Sequence, residues 1–141
     1  MKKILAYIAF SFTAITSYAT APLWMRDVQI SPDGTEIVFC YKGDIYKVPT
    51  EGGAATQLTT QDTYECTPVW SPDGKQIAFA SDRNGNFDIF VMPANGGTAR
   101  RLTTHSTNEV PATFTPDGKY ILFSASIPVS YTHLRAHETD Q

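Results

Sequence analysis

The sequence predicts an all-β fold: part of a β-propeller, with two complete four-stranded antiparallel blades and part of a third. Three observations carry this. SPDGTEIVF, SPDGKQIAF and TPDGKYILF begin at Ser31, Ser71 and Thr115, so one unit recurs after 40 and then 44 residues. Between the first two copies, GDIYKVPTEGGAATQLTT (43–60) matches FDIFVMPANGGTARRLTT (87–104). The four extra residues fall between Phe79 and Asp88, while later landmarks such as Gly52/Gly96 and Leu58/Leu102 keep an offset of 44. An insertion confined to one loop, with register kept elsewhere, marks a repeated structural unit. Short apolar strands alternate with turn signals and no helical period appears, which makes each 40–44-residue unit a propeller blade.

The first segment is predicted to lie outside the fold. MKKILAYIAFSFTAITSYATA carries Lys2 and Lys3, an apolar run from Ile4 to about Ile15, then Ser17, Ala19 and Ala21. This is the pattern of a secretory signal, with cleavage near Ala19 or Ala21 and export to the periplasm. An uncleaved anchor is the alternative, but the run falls short of the ~20 residues a spanning helix needs.

The mature region then divides into blade 1 (about 24–60), blade 2 (about 64–104) and a partial blade 3 (about 108–127). Within each blade the first strand ends at Ile30, Trp70 or Phe114. A Pro-Asp-Gly turn follows. Pro32 presets φ, Asp33 suits the next position, and Gly34 takes the left-handed conformation that a side chain resists. The second strand holds Ile37–Phe39, Ile77–Phe79 or Ile121–Phe123. A short hairpin at Gly43, or the longer SDRNGN around Gly85, leads to the third strand, DIYKV or DIFVM. The pairs Gly52-Gly53 and Gly96-Gly97 turn the chain into a fourth strand, ATQLTT or ARRLTT. Trp70, Phe114, Tyr46 and Phe90 are expected to pack between blades.

The chain holds 11 Lys+Arg against 14 Asp+Glu, a net charge of -3, with no basic stripe. That excludes the electrostatic footprint of a nucleic-acid binder. Cys40 and Cys66 are the only cysteines; they suit either a disulfide or two small buried residues.

The SPDGxxIAF core, the DIYxV strand and the GGxxxxLT ending resemble the WD-like repeats of Tol-type and tricorn-type propellers in exported bacterial proteins. The opening stretch PLWMRDVQISPDGTEIVFCYKGDIYKVP is similar to the start of the N-terminal propeller of tricorn-like serine peptidases. The resemblance covers Pro22 to about Ile127. A Tol-system propeller would carry an α/β domain first, whereas here the first blade follows the signal, which favours the tricorn-like family. That family implies a propeller that gates or filters peptide substrate, with the serine nucleophile far downstream. By this resemblance the chain is a fragment without catalytic residues, and its partner in the intact parent is a peptide or protein. The alternatives are a periplasmic Tol-system-like propeller that binds envelope proteins, and the propeller of an exported prolyl-oligopeptidase-like enzyme.

After Ile127 the third blade is expected to continue with a DIY-like strand, but the sequence becomes PVSYTHLRAHETDQ. Val129–Thr139 resembles one reading frame of a transposase adapter used in DNA library preparation, so residues 128–141 are expected to be a non-native tail. Read alone, HLRAHE would place His133 and His137 on one helix face, a zinc-ligand spacing. Within the repeat context it implies no metal.

Glu65 and Glu109 are the candidate substrate-binding residues. They occupy equivalent places at the start of the innermost strands, where a carboxylate would face the channel of a closed propeller and select charged peptides. The structural alternative is hydrogen bonding to nearby backbone. Asp44 and Asp88 begin the third strands, where they are expected to accept turn N–H groups. His105 aligns with Gln61 and reads as a solvated loop residue. Ser31 and Ser71 are turn residues, and no His-Asp pair accompanies them. No catalytic residue, cofactor or metal is predicted.

Overall fold

A computed structural model describes residues 24–125 and 135–138. The proposed signal and most of the proposed tail lie outside the described residues. The described chain is all-β. Blade 1 contains β1 (Met25–Ile30), β2 (Glu36–Tyr41), β3 (Asp44–Pro49) and β4 (Thr56–Gln57), hydrogen-bonded in that order. Blade 2 repeats it with β5 (Glu65–Trp70), β6 (Gln76–Ser81), β7 (Asp88–Pro93) and β8 (Arg100–Arg101). Blade 3 contains β9 (Glu109–Phe114), β10 (Tyr120–Ala125) and β11 (Arg135–Glu138), in spatial order β11-β10-β9. Every pairing is antiparallel.

The Pro-Asp-Gly turn forms alike in all three blades. In the first, Gly34 N–H donates to Ser31 O at 2.9 Å and Ser31 Oγ donates to Asp33 Oδ1 at 2.6 Å. Asp33 Oδ1 also accepts Thr35 N–H at 3.1 Å, and Ser31 Oγ accepts Glu36 N–H at 2.9 Å. The glycines take φ of 75°, 69° and 73°, the left-handed region expected of them. These hydrogen bonds hold the Asp33, Asp73 and Asp117 carboxyls below the usual carboxylate range.

The fourth strands are shorter than the sequence suggests, two residues each. The Leu-Thr pair that follows explains why. Leu58 N–H still donates to Ile45 O at 2.8 Å, but Ile45 N–H donates to Thr59 Oγ1 at 2.9 Å instead of to a carbonyl. In blade 2, Leu102 N–H reaches Ile89 O at 2.7 Å and Ile89 N–H reaches Thr103 Oγ1 at 2.9 Å. A threonine hydroxyl closes the ladder and satisfies a buried donor where the strand ends.

Alternation along the strands builds two cores. Val38, Cys40, Ile45 and Leu58 of blade 1 pack against Ile77, Phe79, Phe90 and Met92 of blade 2. Ala78, Ile89, Val91 and Leu102, on the other side of blade 2, pack with Phe114, Ile121 and Phe123 of blade 3. Blade 2 is thus buried on both faces, and its middle strands read as near-continuous apolar runs. Phe90 and Phe114 lie between blades, as expected. Trp70 is half-buried and its Nε1 donates to Gln29 O of blade 1 at 3.4 Å. Tyr46 differs. Its partner across the ladder is Phe39, which faces away from blade 2, and the two rings stack at 5.8 Å on that side.

The innermost strands carry bulges that the sequence pattern did not announce. Asp27 and Thr67, equivalent residues 40 apart, take φ of 50° and 49°, and the ladder slips beside each. Thr67 N–H donates to Asp27 Oδ2 at 3.1 Å, joining the two bulges across the blade junction.

β11 draws on residues from within HLRAHE. Arg135–Glu138 pairs with β10, Phe123 opposite Arg135 and Tyr120 opposite Glu138, in the place that β3 and β7 hold in their blades. These four residues are extended, so the helix-face geometry that would bring two imidazoles together is not realised there. His133 lies outside the described residues.

Candidate functional site at the blade junctions

The two sequence-predicted glutamates lie at the blade junctions, at the start of β5 and β9. Glu65 N–H donates to Gly43 O and Glu109 N–H to Phe87 O, each at 2.7 Å, so the innermost strand of one blade hangs on the hairpin of the blade before it. Both side chains are buried: Glu65 is 0% exposed and Glu109 is 6%.

A buried carboxylate needs compensation. Glu65 Oε1 receives Arg83 Nη2 at 2.7 Å, Thr63 Oγ1 at 2.9 Å and Ser81 Oγ at 3.4 Å. Arg83 is held in turn by Ser81 Oγ, 2.9 Å from its Nε, and lies 4.3 Å from the Phe90 ring centroid. Glu65 therefore bonds side chains, where the structural alternative had backbone groups as its partners. Glu65 Oε2 and Glu109 Oε2 are buried without a hydrogen-bond partner.

Arg83 belongs to the four-residue insertion, and that loop ties down the start of blade 2's own innermost strand and the segment that leads into blade 3. Asp82 Oδ1 accepts Tyr64 N–H at 2.8 Å. Asn86 Nδ2 donates to His105 O at 3.0 Å and Thr107 O at 2.8 Å, while Phe87 N–H donates to Asn108 Oδ1 at 3.1 Å. The sequence marked this loop only as a length difference, and a polar loop hides which of its residues will find a buried partner. His105 is exposed, with Nδ1 3.1 Å from Thr107 Oγ1, as a solvated loop histidine should be.

The third-strand aspartates do not behave as expected. Asp88 is fully buried and accepts no turn N–H; its Oδ2 lies 2.7 Å from Arg101 Nη2 as an ion pair without hydrogen-bond alignment. Arg101 stands opposite Phe90, and its Nε is anchored on Thr103 O at 2.8 Å. In blade 1 the place of Arg101 is taken by Gln57, and Asp44 is only half-buried. Burial, then the Glu65 carboxylate, pushes the Asp44 carboxyl up, partly opposed by hydrogen bonds from Gln57 and Thr59. Cys40 and Cys66 are free thiols, buried and half-buried, and burial raises both. Among the described residues no three His, Cys, Asp or Glu side chains are grouped to hold a metal.

This arrangement is a packing junction with buried charge, the Glu65–Arg83 and Asp88–Arg101 pairs both lying within blade 2. Residues 22–137 match the tricorn protease N-terminal β-propeller domain family. The chain belongs to that family. It is 32% identical over 96 residues to the uncharacterized peptidase YuxL of Bacillus subtilis, covering 61% of this chain and 13% of that protein. Among solved structures, the putative TolB of Agrobacterium tumefaciens superposes with a TM-score of 0.64 at 29% identity, covering 69% of this chain and 36% of that one. The tricorn protease itself superposes with a TM-score of 0.59 at 17% identity, covering 79% of this chain and 12% of that one, a likeness of fold. The chain thus spans a small part of each relative. It is a propeller region, and one of its relatives is named as a peptidase.

Proposed function

We propose that this chain is the N-terminal propeller segment of an exported, periplasmic tricorn-like serine peptidase, in which it gates or filters peptide substrate. The observation that supports this best is the family match over 22–137, which takes in all three blades. On this reading the innermost strands β1, β5 and β9 line the route taken by substrate. The buried Glu65–Arg83 pair then sets blade geometry and leaves direct contact with peptide to other groups.

The test compares the product of the complete gene with a variant lacking residues 24–125, using peptides of graded length and a folded protein as substrates. The proposal expects cleavage of short peptides by the complete product and loss of length discrimination in the variant. An unchanged length profile in an active variant would overturn it. If the deletion does not fold, bulky substitutions at Gln29 and Thr113, on β1 and β9, provide the same comparison.

A second reading is a Tol-type periplasmic propeller that binds envelope proteins. The likeness to the Agrobacterium TolB favours it, since 29% identity and a TM-score of 0.64 both exceed the values for the tricorn structure. A complete gene product without peptidase activity that retains envelope proteins would decide for this reading.

A further inference from the structure

A cleft of about 380 Å³ opens at the junction of blades 1 and 2, lined by Trp24, Arg26, Cys40, Lys42, Gly43 and Tyr64. Its walls are aromatic: Trp24 is 61% exposed and Tyr64 43%, large apolar surfaces that a soluble domain normally covers or uses. Its charges are cationic. Arg26 lies 5.9 Å from the Trp24 ring centroid and Lys42 lies 5.4 Å from that of Tyr41. Among the described residues neither has a carboxylate within ion-pair reach. The acidic neighbours are committed elsewhere: Asp27 to Thr67 N–H, Asp82 to Tyr64 N–H, Glu65 to Arg83, and the half-buried Asp44, next to Gly43, to the Gln57 and Thr59 side chains.

The repeat explains why the cleft exists. Gly43 corresponds to Phe87, and Trp24 to Tyr64. At the next junction the Phe87 ring meets Tyr64 edge-on at 6.1 Å, filling the corresponding corner. Blade 1 lacks the four-residue insertion and has glycine at this place, so the corner stays open. A Cβ on Gly43 would come within 3.3 Å of Tyr64 Cδ2, showing how closely the Tyr64 ring lies over the bare backbone. Lys42 takes φ of 53°, a left-handed conformation unfavourable for lysine, in the turn that presents its ammonium at the rim.

We propose that this cleft binds a short acidic peptide segment, with an apolar side chain between the Trp24 and Tyr64 rings and an adjacent side-chain carboxylate between Arg26 and Lys42. The inference rests on the reading of the propeller as a region that meets peptides or proteins. It places one contact at the corner where blades 1 and 2 meet.

The test uses the full 141-residue chain with Trp70→Phe, which leaves Trp24 as the only tryptophan and a reporter inside the cleft. Three probes are titrated: acetyl-Glu-Leu-Asp-amide, its neutral analogue acetyl-Gln-Leu-Asn-amide, and that analogue with a free C-terminus. The expected result is a saturable change in Trp24 fluorescence with the capped acidic peptide and little with the others. Arg26→Ala and Lys42→Ala, both at exposed positions, should each weaken binding about two- to fivefold, and added salt should weaken it further. Equal response to the neutral peptide, no saturable change, or indifference to both substitutions would overturn the proposal. Response only to the free C-terminus would also overturn it, assigning the cleft to a terminal carboxylate. A null result here leaves the peptidase reading standing, since the length-profile experiment tests that separately.

Discussion

Replacing Arg83 by Met keeps most of the side chain's apolar length over Phe90 and removes the guanidinium that lies 2.7 Å from Glu65. Glu65 is 0% exposed, so its carboxylate would remain buried with only Thr63 and Ser81 as donors. Breaking a buried ion pair from one side costs about 3–5 kcal/mol, because the remaining charge is uncompensated. The reverse change, Glu65→Gln, should cost less, about 1–2 kcal/mol, since a neutral amide needs less compensation when buried and still offers an acceptor to Arg83. The double variant should recover most of the Arg83→Met loss, because two neutral groups no longer carry a desolvated charge. Urea unfolding followed by far-ultraviolet circular dichroism measures this. With m about 1–2 kcal/mol/M for a chain of this size, Arg83→Met should lower the midpoint by at least ~1.5 M. A midpoint shift below ~0.5 M would refute the reasoning. So would a double variant as unstable as the two single changes added together, since that would show no coupling between the groups.

Thr103→Val should remove the hydroxyl that accepts Ile89 N–H and leave a buried donor unsatisfied, at about 1–3 kcal/mol. Hydrogen exchange at the Ile89 amide should accelerate, while Thr104→Val, at an exposed position, should leave it unchanged. The carboxylates should show opposite pH signs. Asp73 is held below its ordinary value of 3.8 by Ser71 and the Lys75 N–H, so its contribution is present above that value and fades as pH falls through the lower folded value. Asp73→Asn should therefore lower stability at pH 7 and flatten the acid limb. Asp44 is raised above 3.8 by burial and by Glu65, so its penalty is full above its folded value and is relieved as pH falls through it. Asp44→Asn should raise stability at pH 7, and pH-dependent unfolding of the two variants checks both signs.

Strand positions and turns were legible because their determinants are local. Pro-Asp-Gly sets its own dihedrals, and the unbroken apolar runs Ile37–Phe39 and Ile77–Phe79 mark strands with apolar residues on both faces. The shortening of β4 and β8 was not legible, because Thr59 and Thr103 read as ordinary strand residues until their hydroxyls are seen to replace a carbonyl. The bulges at Asp27 and Thr67 were hidden for a related reason: an Asp inside a strand is a weak sign of left-handed φ and β-branched Thr67 gives none, while Asp27 and Thr67 hold one another across the blade junction. The repeat puts Tyr46 in the place of Phe90, which does lie on a blade interface. Being in the first blade, Tyr46 faces the side where no described blade lies.

For the candidate site, the sequence located Glu65 and Glu109 through their offset of 44 but gave no sign of what would neutralise them. Arg83 is 18 residues from Glu65, in a loop whose composition says only turn, and folding brings the two together. Asp88 found Arg101 in the same way, across one ladder rung from a neighbouring strand.

On the proposed function, these blades belong to the N-terminal propeller of a tricorn-like peptidase. Sequencing the genomic locus past the codon for Ile127 tests it most directly. Further blades with Pro-Asp-Gly, Asp-Ile-Tyr and Gly-Gly…Leu-Thr at 40–44-residue spacing are expected, followed by PDZ and C-terminal serine peptidase domains. A stop codon after the last blade, or an α/β-hydrolase domain with its Gly-x-Ser-x-Gly elbow, would contradict it.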